Sequence, residues 1–144
     1  MAVHRAPMRS RDDAVDPELA LERAFALGVV GMGGRLAVPP ASLAEALAEL
    51  SESDERAARR LERFAALPVG DQVWTRDADG RYRSGVLTGE WRYDVDPRAH
   101  EADLVHVRAT RWDPESLDEA GVPPAVVATF ARGGRNLQRI RALD

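Results

Sequence analysis

Residues 71–94 read DQVWTRDADGRYRSGVLTGEWRYD. Two runs rich in aromatic and β-branched residues, 71–77 and 81–94, flank Asp79-Gly80, a pair that favours a tight hairpin. DLVHVRATRW, residues 103–112, alternates well enough to supply a third strand beside them. Strands grouped here, with helical patterns before them, predict an α+β domain whose largely antiparallel sheet is barrel-like.

Upstream of the hairpin the signals are helical. Asp16-Pro17-Glu18 combines an N-cap acceptor, a proline for the first turn and a negative charge near the positive end of the helix dipole. Leu21, Ala24 and Phe25 share one face of that helix, and Gly28 is placed to end it. VVGMGG, residues 29–34, then predicts a short strand with close backbone approach. After Pro39-Pro40, Ser42 and Glu45 form a capping-box pattern ahead of Leu43, Leu47 and Leu50. SESDE, 51–55, offers new caps before Ala57, Ala58, Leu61 and Phe64 resume an apolar stripe. The charges at Glu55, Arg56, Arg59, Arg60, Glu62 and Arg63 read as its solvated face.

Downstream, Pro123-Pro124 opens a helix over VVATF that Gly133-Gly134 stops, and NLQRIRAL, 136–143, predicts a closing strand. Residues 1–15 mix Arg5, Arg9 and Arg11 with Asp12 and Asp13 without apolar periodicity. They read as a flexible N-terminal arm, and a basic arm can touch DNA. The expected organisation is that arm followed by one domain over 16–144.

A net charge of −4 gives no general attraction to phosphate backbones, so only a local basic surface could bind nucleic acid. The absence of cysteine excludes disulfides, thiolate nucleophiles and thiolate metal sites. MAVHRAPMRSRDD has no apolar core of a signal peptide and no stretch is long enough to span a bilayer, which gives the expectation of a cytoplasmic chain without a membrane partner. Neither the dinucleotide fingerprint nor a phosphate-loop lysine is present, and no serine sits in a G-x-S-x-G elbow. No nucleophile and base can be paired, so no enzyme activity and no cofactor are expected. Asp94, Asp96, His100, Glu101, Asp103 and His106 have the composition of a metal site and equally that of a polar loop; no metal is assigned.

The aromatics cluster late, at Trp74, Tyr82, Trp91, Tyr93 and Trp112. Strand aromatics build cores and cross-strand pairs, and they can also form a platform on which a base stacks. Beside them Arg132, Arg135, Arg139 and Arg141 form an acid-free basic stretch, which reads as a phosphate contact or as a solvated strand edge.

Taken in order, VVGMGG, GDQVWTRDADGRYRSGVLTGEWRYD, HVRATRW, VPPAVVATF and NLQRI resemble the EVE-type and related domains of the PUA-like superfamily, over roughly residues 18–143. Such domains occur in bacteria alone or joined to restriction nucleases, where they are associated with recognising modified DNA bases. The resemblance implies a PUA-like pseudo-β-barrel with flanking helices and a noncatalytic module that reads a flipped, modified DNA base in a barrel-end pocket. RNA, or a nuclease or ATPase that docks a degenerate module, are the alternative partners. It implies base contacts at Gly31, Gly33, Trp74, Trp91, Tyr93, Asp94 and Trp112, and phosphate contacts at Arg92, Arg135 and Arg139. Gly34 stands where such domains commonly carry a tryptophan at the pocket mouth.

Overall fold

The computed structural model describes residues 1–141. Over them the chain forms five α-helices and one six-stranded mixed sheet. Its order is β1 (Val3–Arg5), α1 (Pro17–Leu27), β2 (Val29–Met32), α2 (Leu43–Ser53), α3 (Glu55–Ala66), β3 (Gln72–Arg76), β4 (Tyr82–Tyr93), α4 (Pro97–Ala102), β5 (His106–Trp112), α5 (Pro124–Ala131) and β6 (Gln138–Arg139). No helix among the described residues is long and apolar enough to cross a membrane.

The helix starts follow their local caps. Asp16 accepts from the Glu18 N–H at 3.0 Å and Ser42 from the Glu45 N–H at 3.1 Å. Asp54 serves two helices at one corner. Its own N–H donates to Leu50 O, closing α2, while its carboxylate accepts from Arg56 N and Ala57 N, opening α3. Ala58, Leu61 and Phe64 of α3 are buried, as their spacing predicts.

The sheet runs β2-β5-β4-β3-β1-β6. β4 pairs antiparallel with β3 and β5, and β2 with β5. β1 lies parallel to β3 and antiparallel to β6. Among the described residues no pairing joins the two outer strands, so the expected barrel-like sheet is an unclosed one. The turn between β3 and β4 also differs from a two-residue hairpin. It spans residues 77–81, because Asp77 folds the loop onto itself by accepting from Asp79 N and Arg81 N. The register of β4 against β5 shifts between Leu87 and Trp91, a bulge that changes which residues of β4 face which side.

Successive residues of β3 feed two cores. Val73 joins the main cluster with Val30, Leu61, Phe64 and Leu87, while Trp74 joins a smaller one with Tyr82, Val122, Val126 and Ile140.

The segment read as a flexible arm is part of the sheet. Residues 3–5 form β1, and His4 and Arg5 are buried. Burial of such polar side chains requires partners. His4 Nε2 lies 2.9 Å from Asp71 Oδ2, and the Arg5 guanidinium donates to Thr129 O, Gly133 O and Asn136 O at 2.8, 2.6 and 3.2 Å. Those partners lie 67 residues or more along the chain, beyond the reach of any local pattern. The closing strand is shorter than expected, two residues within 136–143, and the end of that range lies outside the described residues. The polar 94–106 stretch contains α4, capped by Asp96 on the Arg98 N–H at 2.9 Å.

Arg108 on β5 is fully buried and meets no carboxylate within ion-pair distance among the described residues; it donates to Phe64 O, Leu67 O and Gly89 O at 3.0, 2.6 and 2.9 Å. It thereby closes the C-terminal end of α3, where a cation also suits the helix dipole. Arg108→Met should strand those buried carbonyls and lower stability by about 3 kcal/mol or more, read from urea unfolding of the two proteins. A loss below about 1 kcal/mol would show that Arg108 does not hold α3.

Candidate nucleic-acid interface

β2 ends in the turn Gly31–Gly34, and beyond it lies a cavity of about 340 Å³. The residues that form its walls come from five places: that turn, the segment after β1, the corner of α2 and α3, Asp103 at the end of α4, and residues 135–137. The apolar lining is supplied by Ala6, Met8, Leu50, Ala57, Phe64 and Leu137. Six arginines also line it, Arg9, Arg11, Arg35, Arg60, Arg63 and Arg135, against two carboxylates, Asp54 and Asp103. The lining therefore carries +4 within a chain of net charge −4.

The two acids are largely committed to backbone. Asp54 caps α3 and lies 3.8 Å from Arg60. Asp103 accepts from the Gly34 N–H at 3.1 Å and from the Ser10 hydroxyl. Arg35 bonds His100 O at 2.6 Å and pairs with Asp12 at 3.1 Å, Arg135 donates to Ser10 O at 2.9 Å, and Arg11 bonds Asn136. These links lace the exposed 9–13 segment over the cavity mouth. Burial pushes the Arg60 guanidinium below its usual range, and the neighbouring charges of Arg11, Arg63 and Arg56 push the same way against Asp54. The cluster holds more cation than anion, which is the electrostatic condition for taking up a phosphate.

Behind the glycine turn sits a second layer. His106 is fully buried; its Nδ1 lies 3.2 Å from Trp91 Nε1 and its Nε2 lies 2.8 Å from Gly34 O. An indole nitrogen only donates, so Nδ1 is the acceptor and the imidazole proton sits on Nε2, donated to Gly34. The Trp91 ring stacks on the imidazole at 6.1 Å, the Tyr93 ring meets it edge-on at 5.4 Å, and the Tyr93 hydroxyl accepts from Leu36 N at 3.1 Å. The Gly34 peptide is thus held at its N–H by Asp103 and at its carbonyl by His106. Gly31 is equally constrained, since a Cβ there would lie 2.5 Å from His106 O.

Of the residues named from sequence, Gly31, Gly33 and Arg135 line the cavity. Trp91 and Tyr93 do not; they buttress its turn from behind. Trp74 is buried in the smaller core with its indole N–H on Gln72. Trp112 donates to Val29 O at 2.9 Å and packs edge-on against Phe25. Asp94 is buried and paired with Arg23 at 2.9 Å. Arg92 is exposed outside the cavity lining, as is Arg139, whose β6 backbone pairs with His4. Sequence reasoning passed over Arg60 and Arg63, although Arg60 stands one turn before Phe64 on the edge of the apolar stripe. It also passed over Arg9 and Arg11 as cavity residues, because the far wall of their site is 125 residues away.

No family model and no curated protein matches the chain. Its fold is similar to the YTH domain of Zygosaccharomyces rouxii MRB1, solved in complex with N6-methyladenosine RNA, at a TM-score of 0.50 and 15% identity over 98% of this chain and 77% of that one. The Pho92 YTH domain, solved in complex with m6A, gives 0.49 and 12% over 98% and 76%. The likeness establishes a YTH-like α+β fold for this chain.

Burial lowers the pKa of His106, with the Gly34 bond and the Asp103 charge opposing. The folded protein therefore resists a proton that the unfolded chain accepts near pH 6.5. Stability should fall as pH drops below about 6.5 towards the depressed folded value. His106→Gln can keep both hydrogen bonds without titrating, so its unfolding free energy should lose that part of the pH slope; an unchanged slope would remove His106 as its source.

Proposed function

We propose that the chain is a noncatalytic nucleic-acid-binding domain that takes one modified nucleotide into the cavity beside Gly31–Gly34, with RNA as the polymer. The observation that carries this reading is the +4 lining around an apolar floor in an acidic chain. Met32, Ala57 and Leu137, half-buried in the lining, offer apolar surface to the faces of a base, the Gly33 backbone offers polar groups to its edge, and the arginines receive the flanking phosphates. RNA is favoured because the MRB1 YTH domain, which shares the fold, was solved with N6-methyladenosine RNA. A single strand also presents its base without the few kcal/mol that flipping from a duplex costs.

The sequence resemblance to EVE-type domains supports a second reading, a flipped base in DNA within the same cavity. Matched RNA and DNA strands, each plain or carrying N6-methyladenosine or a modified cytosine, separate the two by fluorescence anisotropy at fixed salt. Modified RNA should bind about tenfold tighter than plain RNA, equivalent to about 1.4 kcal/mol. Arg60→Glu with Arg63→Glu should weaken every strand and reduce the salt slope by about 1.4, for two single-strand phosphate contacts. Equal affinity for modified and plain strands of both polymers would defeat the proposal, and a preference confined to DNA would install the second reading.

A further inference from the structure

A second cavity of about 300 Å³ shares a wall with the first. Pro7 and Arg9 line both, so the two are separated by the short ridge Pro7-Met8-Arg9. Met8 on that ridge has φ 54°, a left-handed backbone that a non-glycine residue adopts only at a cost. The conformation has a geometric result. The Met8 side chain is buried in the main core and lines the first cavity, while the next residue, Arg9, is exposed on the crest between the two. Arg9 has no hydrogen-bond or ion-pair partner among the described residues, in contrast to Arg11, Arg35 and Arg135 around the same mouth.

The far wall of the second cavity has its own construction. Phe130 meets Tyr82 edge-on at 5.7 Å, and the Arg76 guanidinium lies 5.6 Å from the Tyr82 ring centre. Phe130 and Arg76 line the cavity, with Pro17 and Leu21 from α1 opposite in the lining. The half-buried Phe130 ring and a planar guanidinium are surfaces on which a nucleobase stacks, irrespective of its identity, and Glu18 and Asp77 in the same lining balance Arg9 and Arg76, which suits a base better than a phosphate inside the cavity.

We infer that the second cavity holds the base of the nucleotide adjoining the one in the first, and that Arg9 on the ridge grips the phosphate that joins them. This inference rests on the nucleic-acid reading above and deepens it, from a single-nucleotide pocket to a dinucleotide step. A strained backbone that raises one unpartnered cation between two cavities fits a chain whose anionic groups lie between its bases. It also orients the strand, because only one neighbour of the modified nucleotide can cross the ridge.

The test is amide chemical-shift mapping of the full chain with a single-stranded RNA pentanucleotide carrying N6-methyladenosine at its centre. Shifts are expected at Gly31–Gly34 and also at Arg76, Ala78, Gly133 and Gly134. An abasic site on one side of the centre should erase the second group, and on the other side should not. Arg76→Ala should erase the second group and leave the first. Arg9→Gln should lower the salt slope of binding by about 0.7, one single-strand phosphate. Shifts at Gly31–Gly34 alone, or a second group indifferent to both abasic positions, overturns the inference while the nucleotide reading stands. No shift at either group overturns both.

Discussion

Two buried guanidiniums hold the ends of two helices, and the cavity walls depend on both. Arg108 grips Phe64 O and Leu67 O at the end of α3, and Arg5 grips Thr129 O and Gly133 O at the end of α5. Neither has a carboxylate in ion-pair contact among the described residues; each is neutralised in part by carbonyl dipoles that a helix leaves unpaired. A charge so placed tolerates little displacement, since its burial is compensated only while the carbonyls converge on it. Through Arg108 the sheet fixes the helix that carries Arg60, Arg63 and Phe64. Through Arg5 the first strand fixes the segment that carries Arg135 and Leu137. Among the described residues each arginine still has one buried nitrogen without a partner, Nε of Arg5 and Nη2 of Arg108, so the networks are tight without being complete.

The same economy explains how an acidic protein keeps a basic cavity. Asp54 is directed at the N–H groups that open α3, and Asp103 at the Gly34 N–H and Ser10. Carboxylates used to order backbone are poorly placed to neutralise every guanidinium around the mouth. Two further carboxylates, Asp12 and Asp13, pair with Arg35 and Arg135 at the mouth and reduce its surplus from +4 to +2; charges more than about 8 Å away are largely screened at physiological ionic strength. Local surplus, and not net charge, is then what a phosphate meets at the cavity.

How far the sequence disclosed this follows from the range of each interaction. Asp16-Pro17 and Ser42 with Glu45 were legible because a cap bonds an N–H two or three residues away. Leu61 and Phe64 were legible because burial repeats with the helix. β1 was hidden because it is short and carries His4 and Arg5, which become core only through Asp71, Thr129 and Gly133. α4 was hidden although Asp96-Pro97 repeats the signature of Asp16-Pro17, because its acidic and histidine content resembles a loop. In the site, Gly31 and Gly33 carried a signal through their spacing. Trp91 and Tyr93 lie outside the cavity lining, and the bulge between Leu87 and Trp91 breaks the parity from which their direction would be read.

Gly34 shows why the aromatics could not simply be exchanged for a tryptophan at the turn. Its φ of 121° is closed to ordinary L-residues, and a Cβ there would lie 3.2 Å from His106 Nε2. The histidine that accepts from Trp91 and donates to Gly34 therefore occupies the space against which a larger residue would press. In this chain the Trp91 indole lies one layer behind the turn, where it fixes the imidazole tautomer and through it the Gly34 carbonyl. On the proposed reading the surface for a base is on the opposite side, from Met32, Ala57 and Leu137, and is weaker in stacking than an indole. On the proposed reading, a site built in that way would draw more of its affinity from phosphates, which agrees with a mouth rich in arginine.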